Sequence, residues 1–121
     1  MSVRRDRRPA SDQLLARIAE RLKALADPTR LRILHCLQDG ELCVSDVIEQ
    51  VGGSQANVSK HLGILRRAEL VAAERKGLHV HYRIADPATF TICRLVCDSL
   101  ERQLVAGKRA VERGRAAMGR G

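Results

Sequence analysis

The side chains best suited to chemistry lie between Gly52 and Leu70, in the run GGSQANVSKHLGILRRAEL. Gln and Asn amides pair bidentately with base edges, a serine hydroxyl reaches base or phosphate, and Lys and Arg neutralise phosphate. Gln55, Asn57, Ser59, Lys60 and Arg67 supply that inventory. Ser54 follows two glycines and suits an N-cap, where its hydroxyl takes an orphan N–H of the first turn. Val58, Leu62 and Leu65 recur at i, i+4 and i+7, so one stripe faces a core. Asn57, Lys60 and Arg67 fall roughly opposite it, and Gln55 and Ser59 near its margins. Such a helix fits the second helix of a helix-turn-helix, which enters the major groove N-terminal end first. An ordinary surface helix carries a similar face, so the neighbouring elements must decide.

The other reactive side chains are four cysteines, Cys36, Cys43, Cys93 and Cys97. Cys93 and Cys97 are i and i+4, on one face of a helix. Two thiolates at that spacing can chelate a soft centre. A third from Cys43 or Cys36 gives trigonal thiolate coordination, which suits arsenite. The alternative is packing, since free cysteine is among the most buried residues. Cys36, set among Leu34 and Leu37, fits that use best.

The composition limits the partners. At 121 residues, one domain is expected. Hydrophobic residues make up 45% of the chain, but the aromatics are Tyr82 and Phe90 alone, so the core must be aliphatic. A net charge of +8 points to a polyanion, nucleic acid before a membrane surface. No apolar run approaches the roughly 20 residues of a membrane span, and the arginine-rich start lacks the apolar stretch of a signal peptide. The expected location is cytoplasmic, where four cysteines are not a disulfide framework.

Along the chain, residues 1–10 form a basic, flexible arm. Ser11 opens a helix with Leu14, Leu15, Ile18, Leu22 and Leu25 on one side. Asp27 caps, and Pro28 starts, a second helix (Thr29 to Gln38) that buries Leu31, Leu34 and Leu37, with Asp39-Gly40 as its stop. After an extended piece at residues 41–44, Ser45 caps a third helix with Val47, Ile48 and Val51 inward and Glu49 as a loose capping-box partner. Gly52-Gly53 turns into the polar helix, the helix-turn-helix pattern.

Beyond Leu70 the period becomes two. Residues 71–76 and 79–84, joined by Gly77-Leu78, read as a β-hairpin with a basic tip of Arg75, Lys76 and His79. Residues 54–83 carry six Lys or Arg against two carboxylates. Asp86-Pro87 starts a last helix, apolar around most of its circumference and hence buried on two sides, one against a second subunit. The domain closes at 105, and residues 106–121 are read as a flexible basic tail that frays.

The stretches LADPTRLRIL (25–34), DGELCVSDV (39–47), SQANVSKHLGILRRAELV (54–71) and RKGLHVHYRIADP (75–87), with the last helix, resemble the ArsR/SmtB family of bacterial winged-helix repressors. The resemblance covers roughly residues 14–104. It implies a mainly α winged helix-turn-helix with a small β-hairpin, dimerising through its first and last helices. It further implies an operator near the chain's own promoter, release by a metal, metalloid or oxidant, and DNA contacts from Gln55, Ser59 and Lys60. His61 is expected to pack locally. The family's zinc and nickel positions on the last helix match Asp86, Ala88, Ser99 and Arg102, which leaves one ligand, and His79 and His81 on the wing are poor candidates. Where many thiophilic-metal sensors carry CVCDL, this chain has Cys43-Val44-Ser45-Asp46-Val47, keeping the first thiol.

The reading is a homodimeric repressor without a constitutive cofactor, with Cys43, Cys93 and Cys97 (and possible use of Cys36) as ligands to a thiophilic metal or metalloid such as As(III). Ser54, Gln55, Asn57, Ser59, Lys60, Arg67, Arg75, Lys76 and His79 are its expected DNA contacts. One alternative is redox or reactive-sulfur sensing by disulfide or polysulfide between Cys36 and Cys93 or Cys97. Another is a sensorless architectural DNA binder. No phosphate loop, carboxylate pair or activated nucleophile supports an enzyme.

Overall fold

A computed structural model describes residues 11–119, so the basic arm lies outside the described residues. Short polar side chains set the first two helix starts. Ser11 accepts from the Leu14 amide at 3.1 Å and opens α1 (Asp12–Leu25). Asp27 accepts from the Arg30 amide at 3.0 Å, and Pro28, whose missing N–H costs nothing at a helix start, begins α2 (Pro28–Cys36). One 3₁₀ turn, Leu37–Asp39, extends α2 to Gly40. Strand β1 (Leu42–Cys43) leads directly into α3 (Val44–Val51).

Gly52 and Gly53 both hold positive φ, 86° and 91°, the left-handed region that a β-carbon disfavours, and make the turn. Ser54 then accepts from the Asn57 amide at 3.1 Å to start α4 (Gln55–Arg67). The exit from α4 is a Schellman closure: the Leu70 amide reaches the Leu65 carbonyl at 3.0 Å and the Glu69 amide the Arg66 carbonyl at 2.9 Å. Glu69 sits at φ 62°, where glycine is usual.

Strands β2 (Val71–Lys76) and β3 (His79–Ile84) pair antiparallel from Val71↔Ile84 to Lys76↔His79 around the two-residue turn Gly77-Leu78. Strand β1 adds to the other edge of β3, giving the order β1-β3-β2. The core is aliphatic, as the composition requires. Ile33, Leu34 and Leu37 meet Val47 of α3, the Val58, Leu62 and Leu65 stripe of α4, and Leu70 and Val71 at the root of the hairpin.

The chain divides after Asp86 into two compact units, where the sequence suggested one domain from 11 to 105. The second contains α5 (Ala88–Gly119), 32 residues long. The helix therefore runs through residues 106–119, which were expected to fray. Alanine, lysine, arginine and glutamate are good helix formers and dominate that stretch, outweighing about 1 kcal/mol lost at each interior glycine. Among the described residues, no helix is long and apolar enough to cross a membrane.

Two local expectations need correction. Leu31 is 41% exposed, because the buried arc of α2 is centred on Ile33, Leu34 and Leu37 and Leu31 lies on another side of the helix. Ser45 does not cap α3. Pairing of Cys43 with His81 carries the strand up to Cys43, the helix begins at Val44, and Ser45 is already in its first turn. The apolar side of α1 is open in the single chain: Leu14, Leu15, Ile18 and Leu22 are about half exposed, and burial is confined to Ala24 and Leu25.

Candidate nucleic-acid interface

The polar residues at the start of α4 are held outward by three buried ones. Val58, Leu62 and Leu65 are fully buried, which leaves Gln55, Asn57, Ser59 and Lys60 exposed. The same end of the helix presents unsatisfied amides and the positive pole of its dipole, both of which favour phosphate. Ser54 accepts from the Asn57 amide and keeps its own O–H to donate. Gln55 also lines an open cleft of about 300 Å³ with Cys43, Ser45, Leu78 and His79. The beginning of α4, the head of α3 and the wing tip thus share one face.

The basic wing residues are not equally available. His79 is exposed. Arg75 Nε donates to the Gly77 carbonyl across the turn at 3.4 Å. Lys76 Nζ donates to Glu41 Oε1, which raises the lysine pKa and holds the Glu41 carboxyl below its ordinary value. Arg67 stands apart from the Gln55 end. Its guanidinium folds back over Gly63 and lines a groove with Glu20, Lys23 and Arg30, between α1 and α4.

Arg30 is the positioning residue that sequence reasoning passed over. Its Nε donates to the Ala24 carbonyl at 2.7 Å and its Nη2 to the Lys23 carbonyl at 3.2 Å, which also accepts the Ala26 amide, so Arg30 closes the last turn of α1. A guanidinium only donates, so His61 Nδ1, 3.2 Å from Arg30 Nη1, accepts. Asp27 Oδ2 lies 4.0 Å from the same ring nitrogen, and its pKa is lowered, chiefly by the Arg30 amide. One side chain therefore ties α1, α2 and α4 together, and His61, expected to pack locally, instead meets Arg30 and Asp27 at the start of α2. A signal was present in the sequence: a cation in the first turn of a helix opposes the dipole and asks for a compensating partner.

All four cysteines are free. Cys43 Sγ donates to Asp46 Oδ2 at 3.0 Å and stands 3.0 Å from Ser45 Oγ. Cys36 is half-buried, and desolvation pushes its thiol pKa up. Cys93 is half-buried and Cys97 exposed on α5. The Glu101 carboxylate is the main reason that the Cys97 pKa is raised, and Cys97 Sγ donates to its Oε1 at 3.8 Å. Among the described residues, no three His, Cys, Asp or Glu side chains of the chain are grouped to hold a metal ion.

The family model for bacterial regulatory proteins of the arsR family matches residues 27–73, from the Asp27 cap into the wing. KmtR, an HTH-type transcriptional regulator of Mycobacterium tuberculosis, is 35% identical over 92% of this chain and 83% of its own length. The chain belongs to the arsR family. A second relative, a transcriptional repressor SmtB homolog of Synechocystis, is 42% identical over 69% of this chain, which spans just under two thirds (64%) of that protein. The homodimeric winged helix-turn-helix DNA-binding domain from Mycobacterium bovis superposes with a TM-score of 0.70 at 33% identity, covering 81% of this chain and 94% of that domain. The arsR-family fold accounts for the α3–turn–α4 unit and its wing.

Proposed function

We propose that this arsR-family regulator is a homodimeric, cytoplasmic repressor that releases its operator when Cys43, Cys93 and Cys97 bind a soft metal or metalloid, with arsenite favoured. The observation that carries the DNA reading is the exposed Gln55-Asn57-Ser59-Lys60 end of α4 beside the basic wing, all on a chain of net charge +8. Base readout falls to Gln55 and Asn57, and phosphate neutralisation to Lys60, Arg75, Lys76 and His79. Dimerisation is supported by the open apolar side of α1 and the exposed apolar residues of α5, and by the homodimeric state of the similar M. bovis domain. Thiol sensing is supported by one thiol at the head of α3, in the cleft shared with Gln55 and His79, and two on one face of α5.

The mechanism is a population shift. DNA selects one dimer arrangement, and a thiol-bound effector favours another, with coupling of a few kcal/mol sufficient for derepression. The test is fluorescence anisotropy of the reduced dimer on promoter DNA, titrated with arsenite and, separately, with a persulfide donor. Release by arsenite that is lost in Cys93→Ser and Cys97→Ser is the expected result. Release by the persulfide donor alone would replace the metalloid reading with sulfur sensing through Cys36. DNA binding unaffected by Gln55→Ala and Lys60→Ala would overturn the DNA-binding surface.

A further inference from the structure

The charge of the chain is unevenly placed. Residues 11–105 carry thirteen Lys or Arg against twelve carboxylates, whereas residues 106–121 carry five against one, half of the net charge of +8. The basic wing is therefore offset by acidic side chains elsewhere between residues 11 and 105. A protein on duplex DNA draws its sequence-independent affinity from cations that displace counterions from phosphate. A stretch so close to neutral attracts a polyanion weakly at long range. The surplus sits instead on the part of α5 beyond the expected domain end, which stays helical to Gly119.

On α5, Arg102, Ala106, Arg109, Arg113 and Ala117 follow one another at steps of four, three, four and four, and so share one face. The three arginines are exposed and span about 16 Å at 1.5 Å per residue. The alanines beside them put no carboxylate on that face. Among the described residues, Arg102, Arg109 and Arg113 have no ion-pair partner, whereas Arg17, Arg21, Lys76 and Arg83 each pair with a carboxylate. The helix dipole favours cations only within the last turn, and Arg113 stands before it, so the dipole does not account for the row.

We propose that the Arg102-Arg109-Arg113 face of α5 is a second nucleic-acid contact, which holds the phosphate backbone of duplex DNA without regard to sequence. This extends the DNA reading above and rests on it: base readout stays with α4, and the α5 face supplies a salt-sensitive share of the affinity. Each guanidinium presents a planar fork that matches two phosphate oxygens. The alternative polyanion is a lipid surface. A helix lying on a membrane carries Trp, Phe or Leu opposite its cations. Beyond Leu104 the side opposite the arginine row offers Gly107, Val111, Gly114 and Met118, too little apolar surface to insert, so nucleic acid is favoured.

The test uses the full chain, reduced, with fluorescence anisotropy on a random-sequence duplex and on promoter DNA over a range of salt. Two double variants remove equal charge from different sides of one stretch: Arg109→Gln with Arg113→Gln, and Lys108→Gln with Arg115→Gln. Lys108 and Arg115 lie off the row, four and three residues from Glu112. Glutamine is a helix former comparable to arginine, and circular dichroism checks that α5 is kept. The first pair should lower the salt slope on the random duplex by about two, with binding weaker by tens of fold at about 0.1 M salt. The second should leave the slope unchanged.

Equal losses from the two pairs would mean attraction by charge alone and overturn the face, as would a wild-type slope in the first pair. Sedimentation with phosphatidylserine vesicles that the first pair abolishes, with DNA binding intact, would assign the face to a membrane and overturn the proposal likewise. Gln55→Ala separates the two readings. It should cost the preference for promoter DNA over the random duplex and leave the random-duplex slope at its wild-type value. A protein that shows this loss but is indifferent to Arg109→Gln with Arg113→Gln keeps the α4 surface and loses the α5 face alone.

Discussion

Replacing Arg30 by methionine keeps most of the aliphatic stem and deletes three hydrogen bonds, to the carbonyls of Lys23 and Ala24 and to His61 Nδ1. A bond from a charged donor contributes about 1.5–3 kcal/mol net when part-buried. The two carbonyls end α1 and can be rehydrated, so the loss falls well short of three full bonds. We expect about 3 kcal/mol. Arg30→Lys, which keeps the charge but gathers its donors on one nitrogen that cannot reach all three acceptors, should lose about half of that. The assay is urea unfolding at one fixed protein concentration, because the stability of the proposed dimer depends on it. The midpoint should fall with the slope unchanged. A double-mutant cycle with His61→Leu should give a coupling of about 1 kcal/mol, since the two side chains touch. A loss below about 1 kcal/mol for Arg30→Met, on the scale of an ordinary surface substitution, would refute the idea that this residue joins α1, α2 and α4.

Three further outcomes follow from single contacts. Glu69 holds a left-handed backbone that costs a residue with a β-carbon about 1 kcal/mol, while its ion pairs with Arg17 and Arg21 are exposed and weak; Glu69→Gly should therefore stabilise the fold by about 0.5 kcal/mol, and a lowered melting temperature would show that the ion pairs matter more. Glu41→Ala removes the acceptor that occupies Lys76, so DNA affinity should rise and the dependence of log K on log salt should steepen by about one phosphate contact; an unchanged slope would mean that Lys76 does not reach the backbone. The Glu101 carboxylate raises the Cys97 pKa by disfavouring the thiolate, so in Glu101→Gln the alkylation rate of Cys97 should begin to climb at lower pH than in the wild type; coincident pH profiles would remove Glu101 as the cause.

Caps and periodicity made much of the fold legible. Ser11, Asp27 and Ser54 each take the amide that their position implies, and the hairpin pairs over the residues where the hydrophobic period changes to two. Those features are local, and local chemistry can be read from neighbours in sequence. Ser45 failed as a cap because a non-local pairing, Cys43 with His81, fixed where α3 starts. Arg30 and Glu41 escaped notice for the same reason. His61 lies 31 residues from Arg30 and Lys76 35 residues from Glu41, and a charged side chain in a sequence does not announce which distant imidazole or ammonium it will meet. The polar face of α4 was legible because it is the complement of a buried stripe. The diversion of Arg67 over Gly63 was not, since it depends on the groove that α1 and α4 form together, which spacing within α4 does not show.

The two-residue strand β1 has an effect out of proportion to its length. An isolated two-stranded ribbon is marginal in water. By pairing Leu42 with Tyr82 and Cys43 with His81, β1 braces the base of the wing in the free protein. In the proposed DNA complex the ribbon then loses little conformational entropy, which preserves affinity that ordering would otherwise consume. The brace ends at the residue that bears a thiol. Peeling Cys43 away from His81 would return entropy to the wing and weaken DNA binding while every side chain of α4 stayed in place.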